Sequence, residues 1–162
     1  MAIRTCPACG RQFGAVNRGH ICKSGTTIDA LAERSLPTFL PIVHRVRAHL
    51  ESLPGVSDRL IVDPLERVVQ FKHRRTFAML TPRTKWTALS ISLDRRVGVA
   101  RWSRKIIEHP CGYHHVINLV DVDAIDDEIL EWLTEAYDSA LIERMAEPSG
   151  GDLMVPDDVD LW

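Results

Sequence analysis

Apolar residues recur at intervals of three and four in two long stretches of the chain, which is the period of a helix with one buried face. The first stretch runs from Leu36 to Leu53 and ends at Pro54-Gly55, with Pro37 suited to a first helical turn. The second runs from Ile125 to Leu141, and Asp123 is the expected cap. A shorter helical turn is expected between Ile28 and Glu33.

Between the two helices the period changes to two, which is typical of strands. Segments of this kind cover residues 60–62, 68–71, 76–80, 86–93 and 114–120, and residues 81–85 resemble a hairpin loop. In residues 86–93 the side chains of Leu89, Ile91 and Leu93 alternate with Trp86, Ser90 and Ser92. We therefore expect one face to be core and the other to be wet, as in an antiparallel sheet. The predicted fold class is α+β, a small antiparallel sheet packed against two main helices.

The 162 residues suggest one ordinary domain with a small module in front. We predict a metal-binding finger over residues 1–25, an α+β domain over 26–147 and an acidic tail over 148–162. There is no run of 18 apolar residues and no signal-like N-terminus, so we expect no membrane contact and a cytoplasmic location. Unpaired cysteine usage fits such a reducing compartment.

Four residues near the N-terminus have the spacing of a zinc site: Cys6, Cys9, His20 and Cys22. They form C-x2-C, a ten-residue interval and H-x-C, and can surround one tetrahedral Zn²⁺. A segment of this length cannot bury a core of its own, so a structural metal would supply its order. The alternative is a set of reduced thiols with an incidental histidine, and the close H-x-C spacing is the feature that favours it.

The net charge of −2 conceals an asymmetry along the chain. Residues 67–105 hold eleven Lys or Arg and one acid, whereas residues 121–162 hold fourteen Asp or Glu and one base. A basic sheet rim with an aromatic side chain is typical of nucleic-acid binding. The candidate ligand-binding residues are Lys72, Arg74, Arg75, Arg83, Lys85 and Trp86. The alternative is that this rim pairs with the acidic closing helix within one molecule.

Only fragments of a catalytic site can be found. Asp63, Glu66 and Lys72 are similar in type to the acid-acid-lysine set of metal-dependent nucleases, although Gln70 stands where such a set needs an acid. The adjacent His114 and His115 must point to opposite faces of a strand, so they cannot easily share a metal. The catalytic residues, if any exist, stay unknown at this point.

Several of these segments resemble one known family. The finger motif, Cys-Pro-Ala-Cys-Gly from Cys6 and Asn-Arg-Gly-His-Ile-Cys ending at Cys22, is similar to the one that opens many bacterial proteins of the DUF5655 family. Residues 69–78, 81–86 and 123–137 resemble its sheet and closing helix, and the resemblance reaches about residue 143. It implies a zinc finger in front of a small antiparallel sheet with helices. It implies no catalytic residues, because the family is named for having no known function.

Three classes of function are therefore open. The first is a zinc-containing binding or regulatory module, acting on nucleic acid through the basic rim. The second is a metal-dependent phosphodiester hydrolase, and the third is an adaptor that recruits a protein partner. The oligomeric state does not follow from the sequence.

Overall fold

The computed structural model describes residues 4–7, 12–13, 26–56, 60–110 and 112–141. Its helices are α1 (Ile28–Glu33), α2 (Phe39–Ser52) and α3 (Asp127–Leu141). Its strands are β1 (Arg4–Thr5), β2 (Gln12–Phe13), β3 (Ile61–Pro64), β4 (Val69–Lys72), β5 (Thr76–Pro82), β6 (Thr87–Leu93), β7 (Ile107–His109) and β8 (Gly112–Leu119). The predicted acidic tail over 148–162 lies outside the described residues, so the proposed division into three parts stays a prediction.

Six strands form one antiparallel sheet in the order β3-β4-β5-β6-β8-β7, and β1 and β2 form a separate antiparallel pair. In the large sheet Leu89 lies opposite Leu80 and Ile117, and Ile91 lies opposite Ala78. All of these side chains are buried in the core that the helices share. The predicted core positions Leu89, Ile91 and Leu93 and the α+β fold class are thus confirmed. The opposite face is not wet as predicted, because Ser90 is also buried. We call this helix-covered side the inner face and the opposite side the outer face.

A bulge in β5 increases the number of apolar side chains on the inner face. The register shifts between Phe71 and Lys72, because Lys72 pairs with Thr76 and Phe77 is the extra residue. Extra residues of this kind change the alternation locally. Phe77 consequently reaches the helices together with Ala78, and its ring meets the ring of Tyr137 on α3 at 5.6 Å between centroids.

Both long helices begin later than the sequence predicts. Helix α2 starts at Phe39 and not near Leu36, and Pro41 becomes the third residue of its first turn. A proline there removes only an N–H that has no partner within the helix. Helix α3 starts at Asp127, and its cap is Asp126, whose Oδ1 accepts the Ile129 N–H at 3.1 Å. The predicted cap, Asp123, instead lies in a short 3₁₀ turn, Val122–Ala124.

The candidate functional residues lie at the two ends of the sheet, which we call the lower end and the upper end. At the lower end lie the β3–β4 and β5–β6 connections and the last residue of β8. At the upper end lie the β4–β5 turn and the last residue of β6, and α3 ends there. Strand β7, which the sequence did not reveal, adds an edge beside β8. Within the described part of the chain, no helix has the length and apolarity to cross a membrane.

Candidate functional site

The six predicted ligand-binding residues divide between the two ends of the sheet. Lys72, Arg74 and Arg75 lie in or beside the β4–β5 turn at the upper end. Arg83, Lys85 and Trp86 lie in the β5–β6 connection at the lower end. Strand β5 separates the two groups, and its seven residues span about 20 Å. The single basic rim predicted from the sequence is therefore two separate groups.

At the upper end Lys72 is bound to a buried carboxylate. Its Nζ lies 2.8 Å from Oδ2 of Asp63, whose side chain is 1% exposed. The pair forms because Asp63 and Lys72 are diagonal neighbours on the outer face, with Gln70 directly opposite Asp63. A buried carboxylate that loses its cation is strongly destabilising, so Lys72 has a structural task.

Two arginines at the upper end are also bound within the fold. Arg75 donates through Nη2 to Oδ1 of Asp94 at 3.3 Å and to the backbone oxygen of Ser139 at 3.2 Å. That oxygen belongs to the last turn of α3, where the helix dipole favours a cation. Arg95 donates two bonds of 2.9 Å to Glu135, which raise the pKa of Arg95. At the upper end, Arg75 and Arg95 therefore bind to the closing helix α3, which is the alternative to ligand binding that the sequence left open.

The lower end brings together cations from three connections. Arg34, just after α1, donates through Nη2 to the backbone oxygen of Glu66 at 3.2 Å, which places it against the β3–β4 connection. Arg67 lies in that connection, and Arg83 and Lys85 lie in the neighbouring β5–β6 connection. We call these four residues, Arg34, Arg67, Arg83 and Lys85, the lower basic group. Trp86 is half-buried beside them, and its carbonyl accepts the Arg83 backbone N–H at 2.9 Å.

The lower end differs from the upper end in whether carboxylates neutralise its basic side chains. Arg34, Arg67 and Lys85 are exposed, and none of them pairs with a carboxylate in the part of the chain that the structure describes. Carboxylates also occur at this end: Glu66 lies in the β3–β4 connection next to Arg67, and Asp121 and Asp123 follow β8, beyond β6. The exposed cations without a carboxylate partner among the described residues therefore lie on the side of β3, β4 and β5.

Sequence reasoning missed Arg34 and Arg67. A signal existed for Arg67, because the first and third turns of an antiparallel meander lie at the same end of a sheet. Arg34 gave no such signal, since its position depends on how α1 packs.

The nuclease-like set is only partly assembled. Asp63 and Lys72 meet on the outer face, as described, but Glu66 lies in the β3–β4 connection at the lower end. The described residues also include no group of three or more His, Cys, Asp or Glu placed to hold a metal ion. A magnesium-dependent hydrolase needs two converging carboxylates, so this part of the chain offers it little support.

The two adjacent histidines point to opposite faces, as strand geometry requires. His115 is fully buried on the inner face, where Nε2 accepts the Val97 N–H at 3.1 Å and Nδ1 lies 3.1 Å from the carbonyl of Tyr113. Burial lowers the pKa of His115, so the ring is a neutral structural contact. On the outer face, burial and, to a smaller extent, the nearby His109 lower the pKa of His114 to about 4.

Of the four predicted zinc ligands, only Cys6 lies among the described residues. It directly follows β1 and is half-buried. The pairing of Arg4 with Phe13 and Thr5 with Gln12 turns the chain back on itself around the C-x2-C segment. Cys9, His20 and Cys22 lie outside the described residues, so the zinc site stays a prediction.

Comparison with known proteins gives one finding. The model of a family described as Domain of unknown function (DUF5655) matches residues 29–140, which is more than half of the chain. Searches of curated proteins and of solved structures find no significant match.

Proposed function

Because the chain belongs to the DUF5655 family, whose function is unknown, we propose a function from its own surface: a zinc-containing module that binds a polyanion. The favoured ligand is single-stranded nucleic acid, and the binding surface is the lower basic group. A cytoplasmic location and a bacterial source are part of this proposal.

One observation carries the proposal: among the described residues, Arg34, Arg67 and Lys85 have no carboxylate partner. All three are also exposed, whereas Lys72, Arg75 and Arg95 each pair with a carboxylate. Lysine and arginine neutralise phosphates and release counterions, which is the main source of affinity for nucleic acid. The indole of Trp86 adds a flat surface on which an unpaired base can stack.

The overall charge limits the strength of this binding. The chain carries a net charge of −2 and has a pI of about 6.4, so only the local field attracts a polyanion. Three to four phosphate contacts on a single strand predict that affinity falls about 20- to 50-fold between 50 and 200 mM salt. We expect moderate binding that disappears at high salt.

The zinc part of the proposal rests on ligand chemistry. Cys6, Cys9, His20 and Cys22 supply three thiolates and one imidazole, which suit tetrahedral zinc. The antiparallel pairing of β1 with β2 supports it, because it brings the two flanks of the C-x2-C segment together. Such a site would be structural, with no position left for substrate. Freshly purified, reduced protein should contain one equivalent of zinc by elemental analysis, and much less would refute this part.

Fluorescence anisotropy with labelled single-stranded DNA and RNA tests the binding proposal. We expect the double variant Arg67→Glu, Lys85→Glu to lose most of its affinity at 50 mM salt and to show a shallower salt dependence. Lys105→Glu is the matched control, because Lys105 is equally exposed but precedes β7 at the far edge of the sheet. Removal of the acidic residues after Pro148 should strengthen binding.

Three results would overturn the binding proposal or replace it. Absence of binding at 50 mM salt would favour a protein partner. Equal losses in the double variant and in Lys105→Glu would show that the lower end is not the binding surface. Cleavage of the oligonucleotide that depends on a divalent metal would favour the hydrolase.

A further inference from the structure

The exposed side of helix α3 carries a stripe of carboxylates. The helix contains five acidic residues and no lysine or arginine. Two of the five are bound by arginines of the β6–β7 connection. The other three are exposed and have no cationic partner among the described residues: Asp127, Glu131 and Asp138. Their intervals of four and seven residues align them along one side of the helix.

A shallow groove follows this stripe and is bordered by α2. Its volume is about 600 Å³, and Leu130 and Thr134 line it between the carboxylates. From α2, His49 reaches the groove, and its Nε2 lies 2.9 Å from Oγ1 of Thr134. Arg45 lies one turn before His49 on the same side of α2. It is exposed and has no carboxylate partner in the part of the chain that the structure describes.

Helices α2 and α3 run in the same direction, which fixes the relative heights of their residues. Helix α3 follows the 3₁₀ turn Val122–Ala124, and α2 comes within 8 Å of that turn between Cα atoms. The last residue of α2 lies only three residues after His49, so the start of α2 makes this approach. At a rise of about 1.5 Å per residue, Arg45 lies about 6 Å before His49, and Glu131 lies about 4.5 Å before Thr134. Because His49 contacts Thr134, Arg45 and Glu131 lie at nearly the same height.

We propose that two copies of the chain associate through this face, with a twofold axis parallel to the two helices. Rotation about that axis places α2 of one copy on α3 of the other and keeps every residue at its height. Arg45 of each copy then faces Glu131 of the partner subunit, so the contact is self-complementary. An axis across the helices would instead place α3 on α3, where the carboxylates repel each other. The parallel axis also leaves both lower basic groups at the same end of the dimer.

The size of the face predicts a weak dimer. Its helices have 14 and 15 residues, so each is about 20 Å long, and packed helices lie about 10 Å apart. Two such helices cover roughly 400 Å² per copy, about half of what each partner buries in a stable complex. We therefore expect association that depends on protein concentration and weakens as salt screens the charges.

Sedimentation velocity on the full chain, without nucleic acid, tests this inference. At about 50 mM salt the fraction of dimer should rise with protein concentration, and it should fall at about 500 mM salt. Arg45→Glu should raise the dissociation constant at least about tenfold, because like charges then face each other at two places. The charge swap Arg45→Glu, Glu131→Arg should restore the dimer. Arg47→Glu is the matched control, because Arg47 lies on the opposite side of α2, where it pairs with Glu51.

Three results would overturn the inference. The first is a monomer at every concentration. The second is a dimer that Arg45→Glu leaves intact, because the interface would then lie on another surface. The third is a dimer that both single variants abolish and the charge swap does not restore, because the two residues would then not face each other. Circular dichroism of each variant checks that the fold persists. Since no nucleic acid is present, the outcome is separate from that of the binding proposal.

Discussion

The two ends of the sheet carry similar numbers of basic residues but use them differently. At the upper end Lys72, Arg75 and Arg95 are held by Asp63, Asp94 and Glu135. Arg75 and Arg95 also join the sheet to α3. At the lower end Arg34, Arg67 and Lys85 have no such partners among the described residues. The difference shows that the position of nearby carboxylates, and not the count of cations, decides which basic side chains are paired within the fold.

The largest contrast should come from replacing one lysine at each end by methionine. Lys72→Met leaves the carboxylate of Asp63 buried without its ammonium, which costs about 3–5 kcal/mol of unfolding free energy. Lys85→Met at the exposed lower end should change it by less than about 0.5 kcal/mol. Urea denaturation measures both. Asp63→Asn in the Lys72→Met background should restore part of the loss, and equal effects at the two ends would contradict the comparison.

Acid should destabilise the fold through His114, on the outer face toward the upper end. Its pKa of about 4 lies below the ordinary value of 6.5, so between these values the unfolded chain binds a proton and the folded chain does not. Stability therefore falls as the pH falls from about 6.5 to 4, by about 2–3 kcal/mol. His49 and His115, whose pKa values are also lowered, act in the same direction.

Thermal unfolding at a series of pH values checks this dependence. His114→Gln should flatten the curve between pH 6.5 and 4, whereas His44→Gln, on the exposed side of α2, is the control and should leave its shape unchanged. A curve that keeps its slope in His114→Gln would refute the assignment.

The arginines of the two ends should separate stability from binding. Arg75→Ala removes the bonds to Asp94 and to the end of α3, and we expect a loss of about 1–2 kcal/mol with little change in oligonucleotide affinity. Arg67→Ala should do the opposite, with an unchanged melting temperature and weaker binding. Calorimetry and anisotropy on the same samples measure both properties. A binding loss confined to Arg75→Ala would move the proposed surface to the upper end.

The smallest expected effect concerns the aromatic side chain of the lower end. Trp86→Ala should weaken binding of a single strand by about 1 kcal/mol, because a half-buried indole can stack on one base. Trp86→Phe, which keeps a ring, should retain most of the affinity. Equal losses in both variants, measured by anisotropy, would point to a packing role for Trp86.

Much of the fold was predictable because it follows from local patterns. The alternation in β6 assigns the inner face, and the three-and-four spacing identifies α2 and α3. The starts of these helices were not predictable to the residue, because Pro37 and Pro41 both suit a first turn and Asp123 and Asp126 both suit a cap. Strand β7 was missed because it has three exposed residues and no buried side to produce alternation.

The candidate site was less predictable than the fold. Lys72 and Lys85 belong to the same basic stretch of sequence, yet one is tied to a buried carboxylate and the other is exposed. Their difference depends on which residue lies across the sheet, and a charge count along the chain does not contain that information. The contribution of Arg34 depends on tertiary packing alone, since α1 brings it to the β3–β4 connection.

The order of the strands also has a consequence for biosynthesis. Strands β3 to β6 form a meander with short turns, so each pairing can form as soon as two consecutive segments have left the ribosome. Helix α3, which closes the inner face over β5 and β6, is translated only after the eight strands that the structure describes. Until residue 141 emerges, the nascent chain therefore holds Leu80, Leu89 and Ile91 without their cover, and a ribosome that stalls within α3 would release an aggregation-prone product.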